Sequence, residues 1–144
     1  MEDRFITYRS GYKYQLASNS SVNTGLHIDT AIDDGHFLKL DLDGNLHIKK
    51  GYAWDGPSGP VVDTKENMRA SLVHDALYQL MRNEHLDRNV YKKAADKLFE
   101  KICIEDGVPE ELARVYYLGL KIGGHPSTDP KNKKVVHIAP EPRA

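Results

Sequence analysis

The sequence contains a single cysteine, Cys103, among its 144 residues, which excludes a disulfide bond within the chain. Because Cys103 lies in the largely apolar run 98–104, we expect a buried structural thiol rather than a nucleophile. The scarcity of cysteine is typical of a protein that folds in a reducing compartment.

The sequence also lacks long apolar stretches and any excess of charge. No segment approaches the roughly 18 apolar residues of a membrane span, and no apolar run of a signal peptide follows the N-terminus. We therefore expect neither a transmembrane segment nor a signal peptide. The 20 basic and 21 acidic residues nearly cancel, which does not favour nucleic acid as a partner.

Residues 1 to about 53 are patterned as β-strands and turns. In the segment 37–49, two runs of alternating apolar and polar residues flank Asp43-Gly44. This pattern predicts a β-hairpin, because Gly accepts the positive φ of a tight turn. Residues 12–16 are a weaker strand candidate, and the polar stretch 18–24 predicts a loop. Residues 41–45 resemble a calcium loop in composition, but no Glu closes it, so the hairpin is favoured.

A segment rich in glycine and proline follows at residues 51–62. Three Gly and two Pro fall within the ten residues 51–60, which excludes a regular helix or a central strand. We expect a fixed, irregular loop whose carbonyl groups point outward. Ser58 in this loop is a weak candidate nucleophile, because its spacing from the neighbouring glycines differs from that of a nucleophile elbow and the prolines suit a turn.

Three helices are predicted after the loop, at about residues 65–82, 87–104 and 109–122. Asp63 and Glu66 have the spacing of a capping box, Asp87 is a plausible N-cap, and Pro109 suits a first turn. Each helix carries a face of apolar residues that we expect to be buried. These faces are Met68, Leu72, Val73, Ala76, Leu77 and Leu80; Val90, Tyr91, Ala94, Ala95, Leu98, Phe99 and Ile102; and Leu112, Val115, Tyr116, Gly119 and Leu120.

These elements predict an α+β fold, in which an N-terminal antiparallel β-hairpin or meander packs on a C-terminal bundle of two or three helices. Residues 1–124 would form a single domain. Residues 125–144 contain four prolines and few apolar residues, which predicts an extended C-terminal tail.

His74 in the first predicted helix and Asp96 in the second each lie 11 residues from the link centred near residue 85. In an antiparallel helix pair, equidistant residues lie at the same height. A buried carboxylate is costly unless it is paired, so we expect Asp96 to hold the tautomer of His74. The other ring nitrogen would then be a general base. Such a pair could equally be a structural hydrogen bond in the core.

Tyr78 and Asp75 extend this candidate site in two directions. Tyr78 lies one turn after His74, from where its hydroxyl could also reach Asp96. Asp75 points about 100° away around the helix, towards the loop that contains Asp55 if that loop folds back. A carboxylate with outward carbonyls is the ligand set of a hard cation such as calcium. Asp55 could instead be an ordinary turn residue.

Three motifs together resemble the phage and bacterial family called domain of unknown function 1353. They are Tyr52…Asp55-Gly56-x-Ser58-x-Pro60, His74-Asp75-x-x-Tyr78 and Ala95-Asp96, within a resemblance that covers about residues 35–105. The resemblance implies a small protein that recurs in phage and prophage genomes. Such a protein would be cytoplasmic in an infected bacterium, or part of the virion.

The His-Asp-x-x-Tyr helix also resembles, more distantly, that of secreted phospholipases A2. The resemblance implies that His74 activates a water molecule, that Asp96 orients His74 and that Tyr78 supports this pair. Asp75 would bind calcium, backbone carbonyls from Tyr52 to Gly59, that of Gly56 among them, would fill the calcium shell, and the metal would stabilise the oxyanion. Asp55 would join these ligands if the loop folds back over the helix.

The flanking cysteines and the Cys- and Gly-rich loop of those phospholipases are missing from this chain. Two functions therefore stay open. The first is a calcium-assisted hydrolase that acts on a small-molecule or lipid ester. The second is a non-enzymatic virion or tail component, or a protein that binds or inhibits a host protein, in which the His-Asp network is structural.

Overall fold

The computed structural model describes residues 4–11, 13–56 and 63–140. The whole second half of the predicted Gly/Pro loop, residues 57–62 with Ser58, lies outside these ranges. The described residues form an α+β fold, with antiparallel strands in the N-terminal half and three main helices in the C-terminal half, as the sequence predicts.

Within the described ranges, seven short strands form two antiparallel sheets. The first sheet has the order β1-β2-β7 and the second has the order β3-β6-β5-β4. The strands are β1 (Tyr8–Arg9), β2 (Tyr14–Leu16), β3 (Ser20–Asn23), β4 (Ile32–Asp33), β5 (Leu38–Leu40), β6 (Asn45–Ile48) and β7 (Ala53–Trp54).

The hairpin predicted around Asp43-Gly44 is confirmed as β5 and β6. Leu40 pairs with Leu46, and the apolar residues of both strands point into the core. Gly44 has a φ of +84° and lies against the backbone of Leu26, since an added Cβ would lie 2.7 Å from the Leu26 carbonyl oxygen. The turn therefore requires glycine for both its conformation and its space.

Two strands occur where the sequence predicts loop. β3 lies within the polar stretch 18–24, pairs with β6, and buries Val22. Its polar side chains are used across the sheet, as in the 2.8 Å hydrogen bond between Ser21 Oγ and His47 Nδ1. β7 lies within the Gly/Pro segment, but only as a two-residue strand at the edge of its sheet. In both places the pairing partner, rather than local sequence, decides the conformation.

The three predicted helices are present as α1 (Lys65–Arg82), α2 (Arg88–Glu105) and α3 (Glu110–Gly123). Asp87 caps α2 as predicted, because its carboxylate accepts a hydrogen bond from the Asn89 N–H at 2.9 Å. No helix in the described ranges is both long and apolar enough to span a membrane.

The capping box predicted for α1 is wrong by one residue. The N-cap is Thr64, and its backbone N–H donates to Asn67 Oδ1 at 3.0 Å. Asp63 instead accepts a hydrogen bond from the Tyr14 hydroxyl at 2.5 Å, so the tertiary partner removes it from the cap. Glu66 lies in the first turn of α1, where its charge is favourable to the helix dipole.

The buried face predicted for α3 is partly wrong. Leu120 is buried as predicted, but Leu112 and Val115 are 42% and 57% exposed, and the helix buries Ala113 and Tyr117 instead. The helix has apolar residues on more than one side, so periodicity alone does not choose the side that contacts α2. Val90 at the start of α2 is also exposed rather than buried.

The extended conformation predicted for the tail is wrong for residues 125–132. A short helix, α4 (His125–Thr128), and a 3-10 helix (Pro130–Asn132) follow α3. Thr128 is fully buried, and the Arg82 guanidinium donates to the Ser127 carbonyl at 2.9 Å. Contacts with α1 therefore order a segment whose composition predicts an extended arm. Residues 133–140 form neither helix nor strand.

Candidate functional site

Asp96 on α2 accepts three hydrogen bonds from side chains in the helical core. Its Oδ1 accepts from His74 Nε2 at 2.8 Å and from the Tyr78 hydroxyl. Its Oδ2 accepts from Lys92 Nζ at 2.8 Å. Asp96 is 1% exposed and His74 is 3% exposed. The pairing that their equal distances from the helix link predict is therefore present, and Tyr78 reaches the same carboxylate.

The protonation states of this network follow from burial and from the donors. Burial lowers the pKa of His74 below its usual value of 6.5, and this effect exceeds the opposing influence of the Asp96 carboxylate. Burial alone would raise the pKa of Asp96, but the hydrogen bonds from His74, Lys92 and Tyr78 hold it below 3.8. A neutral imidazole thus donates from Nε2 to an ionised carboxylate, and Nδ1 keeps the basic lone pair.

His74 is enclosed by aromatic rings. Its ring centroid lies 3.9 Å from that of Tyr78 and 5.4 Å from that of Phe99. Tyr78 lines one cavity of the protein and Asp96 lines another, but His74 is in the lining of neither. The imidazole is therefore a buried group, whose Nδ1 is shielded from bulk water.

Asp75 lines a separate polar cavity of about 160 Å³, together with Tyr52, Asp55, Gly56 and Tyr78. The structure thus brings the four predicted cation ligands to one cavity, and Asp75 turns away from His74 as expected. Burial, and next the nearby charge of Asp55, raise the pKa of Asp75 to about 7. A buried carboxylate beside a second negative charge attracts a cation.

Other contacts in this cavity compete with a metal ion. Lys13 Nζ lies 2.6 Å from Asp55 Oδ1, and Arg82 also lines the cavity. The Tyr52 hydroxyl donates to Gln79 Oε1 at 3.1 Å, while the Tyr52 carbonyl accepts from the Leu16 N–H at 2.8 Å. Both oxygen atoms of Tyr52 therefore already take part in hydrogen bonds, which weakens its assignment as a cation ligand.

The donor set fits a hard cation better than a transition metal. In the ranges 4–11, 13–56 and 63–140, no three His, Cys, Asp or Glu side chains converge as a metal-binding group. A cation would rest on Asp75, Asp55 and backbone oxygens such as that of Gly56, all of them oxygen ligands.

Lys92 is the member of the network that the sequence reasoning missed. Its ammonium donates to Asp96 Oδ2 and, at 3.0 Å, to the Leu120 carbonyl of α3. The available signal was its position four residues before Asp96 on the same predicted helix, which is the spacing of a helical ion pair.

A family model described as "Protein of unknown function (DUF1353)" matches residues 37–120, more than half of the chain. The chain belongs to this family. The segment that matches the DUF1353 model runs from the β5–β6 hairpin to α3 and contains the whole Asp96 network. No curated protein and no solved structure matches the chain, so the resemblance to phospholipase A2 stays a prediction.

The strands β1 to β4 lie before the segment that matches DUF1353, yet they are part of the same fold. β3 pairs with β6, and β2 pairs with β7. Lys13, which precedes β2, supplies the cation that pairs with Asp55. The segment upstream of the match therefore contributes to the Asp75 cavity.

Proposed function

We propose that this DUF1353 protein is a cation-assisted hydrolase of lipid or small-molecule esters, with His74 as the general base. The observation that carries the proposal is the 2.8 Å hydrogen bond from His74 Nε2 to Asp96. This bond fixes the tautomer and leaves the lone pair of Nδ1 to accept a proton.

The proposed reaction requires the enclosure of His74 to open and admit water. His74 Nδ1 then takes a proton from a water molecule as the water oxygen attacks the ester carbonyl carbon. The Asp96 carboxylate stabilises the imidazolium that results, as an acidic partner does in other His-Asp pairs. The proton then passes to the leaving alkoxide when the ester C–O bond breaks, which gives a carboxylic acid and an alcohol. Tyr78 and Lys92 are positioning residues, because they hold Asp96.

A calcium ion, when bound, would polarise the ester carbonyl and stabilise the oxyanion. Asp75 and Asp55 would hold it, with the Gly56 carbonyl. Asp75 is adjacent to His74 in sequence, so the proposed base and the first cation ligand occupy neighbouring positions on α1, although of the two only Asp75 lines the cavity of Asp55 and Gly56. We also propose that the protein is of phage origin and is located in the host cytoplasm or in the virion.

A second candidate is a non-enzymatic function, as a virion or tail component or a host-interaction protein. The enclosure of His74 between Tyr78 and Phe99, at 3% exposure, favours it. In that case the Asp96 network would hold α1 against α2 and would have no substrate.

Fatty-acid release from phospholipid vesicles and hydrolysis of a soluble chromogenic ester, each with and without calcium, test the two candidates. We expect His74→Gln to reduce activity by roughly 10²–10⁴-fold, the usual contribution of a general base. The matched control is His85→Gln, because His85 Nε2 also pairs with an aspartate, Asp34, at 2.7 Å, but at an exposed position. That variant is expected to keep the activity.

A thermal melt separates the cation site from the base. Calcium is expected to raise the Tm of the wild-type protein and to have no effect on Asp75→Asn, since a ligand stabilises only a state that binds it. Absence of ester hydrolysis in the wild type under every cation condition, together with a lowered Tm for His74→Gln, would support the structural role instead.

A further inference from the structure

A second cavity, of about 340 Å³, lies between α2, α3 and the start of α4 and is predominantly basic. Four cationic side chains line it, namely Arg88, Lys92, Lys93 and Lys121, whereas Asp96 is the one acidic residue in the lining. Asp96 is already neutralised by Lys92, at 2.8 Å. The cavity therefore has an excess of positive charge, and an anion is the class of ligand that it favours.

The positive charge of the cavity is only partly balanced by its surroundings. Arg88 pairs with Asp129 at 3.2 Å. Lys93 and Lys121 are exposed, and neither has an acidic partner in the part of the chain that the structure describes. Two ammonium groups at the rim are therefore available to a ligand.

Lys92 places a fixed donor inside the cavity. Its side chain is 10% exposed, and its ammonium donates to Asp96 Oδ2 and to the Leu120 carbonyl at 2.8 and 3.0 Å. An ammonium has three protons, so a third donor remains on a group that cannot move away. A buried, held cation loses little side-chain freedom when it binds a ligand.

Arg88 and Asn89, the first residues of the 18-residue helix α2, also line the cavity. The Asp87 carboxylate caps this helix end by accepting from the Asn89 N–H at 2.9 Å. The excess positive charge of the cavity therefore comes from its lysine side chains and not from the helix dipole.

We infer that this cavity binds a phosphate group, either free inorganic phosphate or the phosphate of a lipid headgroup. Its oxygens can accept hydrogen bonds from the Lys92 ammonium and from Lys93 and Lys121 at the same time. The inference does not rest on the proposed hydrolase, because none of these lysines acts on the ester and the test measures binding alone.

Titration calorimetry of the full chain with inorganic phosphate, at constant ionic strength, measures the site directly. We expect saturable binding with one site per chain. The double variant Lys93→Ala/Lys121→Ala is expected to weaken phosphate binding by about tenfold or more, because the loss of even one modest charged contact lowers the affinity by about tenfold. Both residues are exposed, so the fold is expected to be retained, and circular dichroism verifies this.

The matched control is Lys49→Ala/Lys50→Ala, which removes the same charge from two exposed lysines that follow β6. It is expected to change phosphate affinity by less than about twofold. Equal weakening by both double variants, or no saturable binding of phosphate or of vesicles, would overturn the inference.

Flotation with phosphatidylcholine vesicles, with and without phosphatidic acid, distinguishes the two sources of phosphate. The lipid headgroup is identified if the protein binds vesicles that contain phosphatidic acid, if inorganic phosphate displaces it from them, and if Lys93→Ala/Lys121→Ala no longer binds. Saturable binding of free phosphate without vesicle binding identifies the soluble ion. Vesicle binding that the lysine variant retains would contradict a site in this cavity.

Discussion

The Lys92 ammonium lies 2.8 Å from Asp96 Oδ2, one helical turn away on α2, and both side chains are at least nine-tenths buried. Their opposite charges make the burial of each acceptable, because an isolated charge in a protein core is strongly unfavourable. The hydrogen bonds from His74 and Tyr78 satisfy the other carboxylate oxygen.

Replacement of Lys92 by methionine leaves the Asp96 carboxylate buried without a countercharge. We expect Lys92→Met to lower the free energy of unfolding by about 3–5 kcal/mol, which is typical when one partner of a buried pair is removed. Urea denaturation measures the change. The control is Lys93→Met at the adjacent, exposed position, with an expected change within about 0.5 kcal/mol. Similar losses in the two variants would contradict the role of the buried pair.

The stability contribution of Asp96 depends on pH in one direction. Its pKa lies below 3.8 in the folded protein, so the unfolded chain binds the proton more readily. The contribution is therefore complete above about pH 4 and is lost as the pH falls through the folded-state pKa. We expect the difference in unfolding free energy between wild type and Asp96→Asn to be constant near neutral pH and to narrow below about pH 4. A difference that widens on acidification would be inconsistent with this shift.

Gly44 and Gly35 separate backbone strain from steric contact. Both have positive φ, +84° and +96°, but an added Cβ would lie 2.7 Å from the Leu26 carbonyl oxygen at Gly44 and meets nothing within 4 Å at Gly35. Alanine at either position costs about 1–2 kcal/mol in backbone conformation. We expect Gly44→Ala to destabilise the protein more than Gly35→Ala, as measured by urea denaturation. Equal losses would mean that the backbone near Leu26 moves without cost.

Cys103 is expected to be chemically inert in the folded protein. Its thiol is fully buried, and burial raises its pKa to about 12, so both access and thiolate are lacking. Iodoacetamide at mildly alkaline pH is expected to leave the native protein unmodified and to modify it fully in urea, as read by mass spectrometry. Rapid modification of the native protein would show that the core around α2 opens easily.

The elements that were predicted correctly are those that local sequence determines. The β5–β6 hairpin follows from Asp43-Gly44 and the alternating residues beside it, and Asp87 marks the start of α2. By contrast, β3 exists because β6 pairs with it, and α4 is held by Arg82 from a distant part of the chain. These partners cannot be identified from the composition of the segments themselves.

The candidate site shows the same division. The His74–Asp96 contact could be predicted because two antiparallel helices with a short link leave little freedom in how their residues align. The hydrogen bonds of Tyr52 could not be predicted, because its carbonyl accepts from the Leu16 N–H only once β2 has paired with the segment near β7. The basic cavity also needs the position of α3, whose apolar residues did not indicate which side faces α2.

The Lys92 ammonium also holds the Leu120 carbonyl, near the C-terminal end of α3. One charge therefore connects α3 to a carboxylate on α2 that is itself bonded to two residues of α1. If α3 separates from the other helices, the hydrogen bond from Lys92 to the Leu120 carbonyl is lost together with the burial of the apolar residues between the helices, so partial opening is penalised. The three helices are therefore expected to unfold as one cooperative unit, and the slowest backbone amides of all three would exchange with a common free energy.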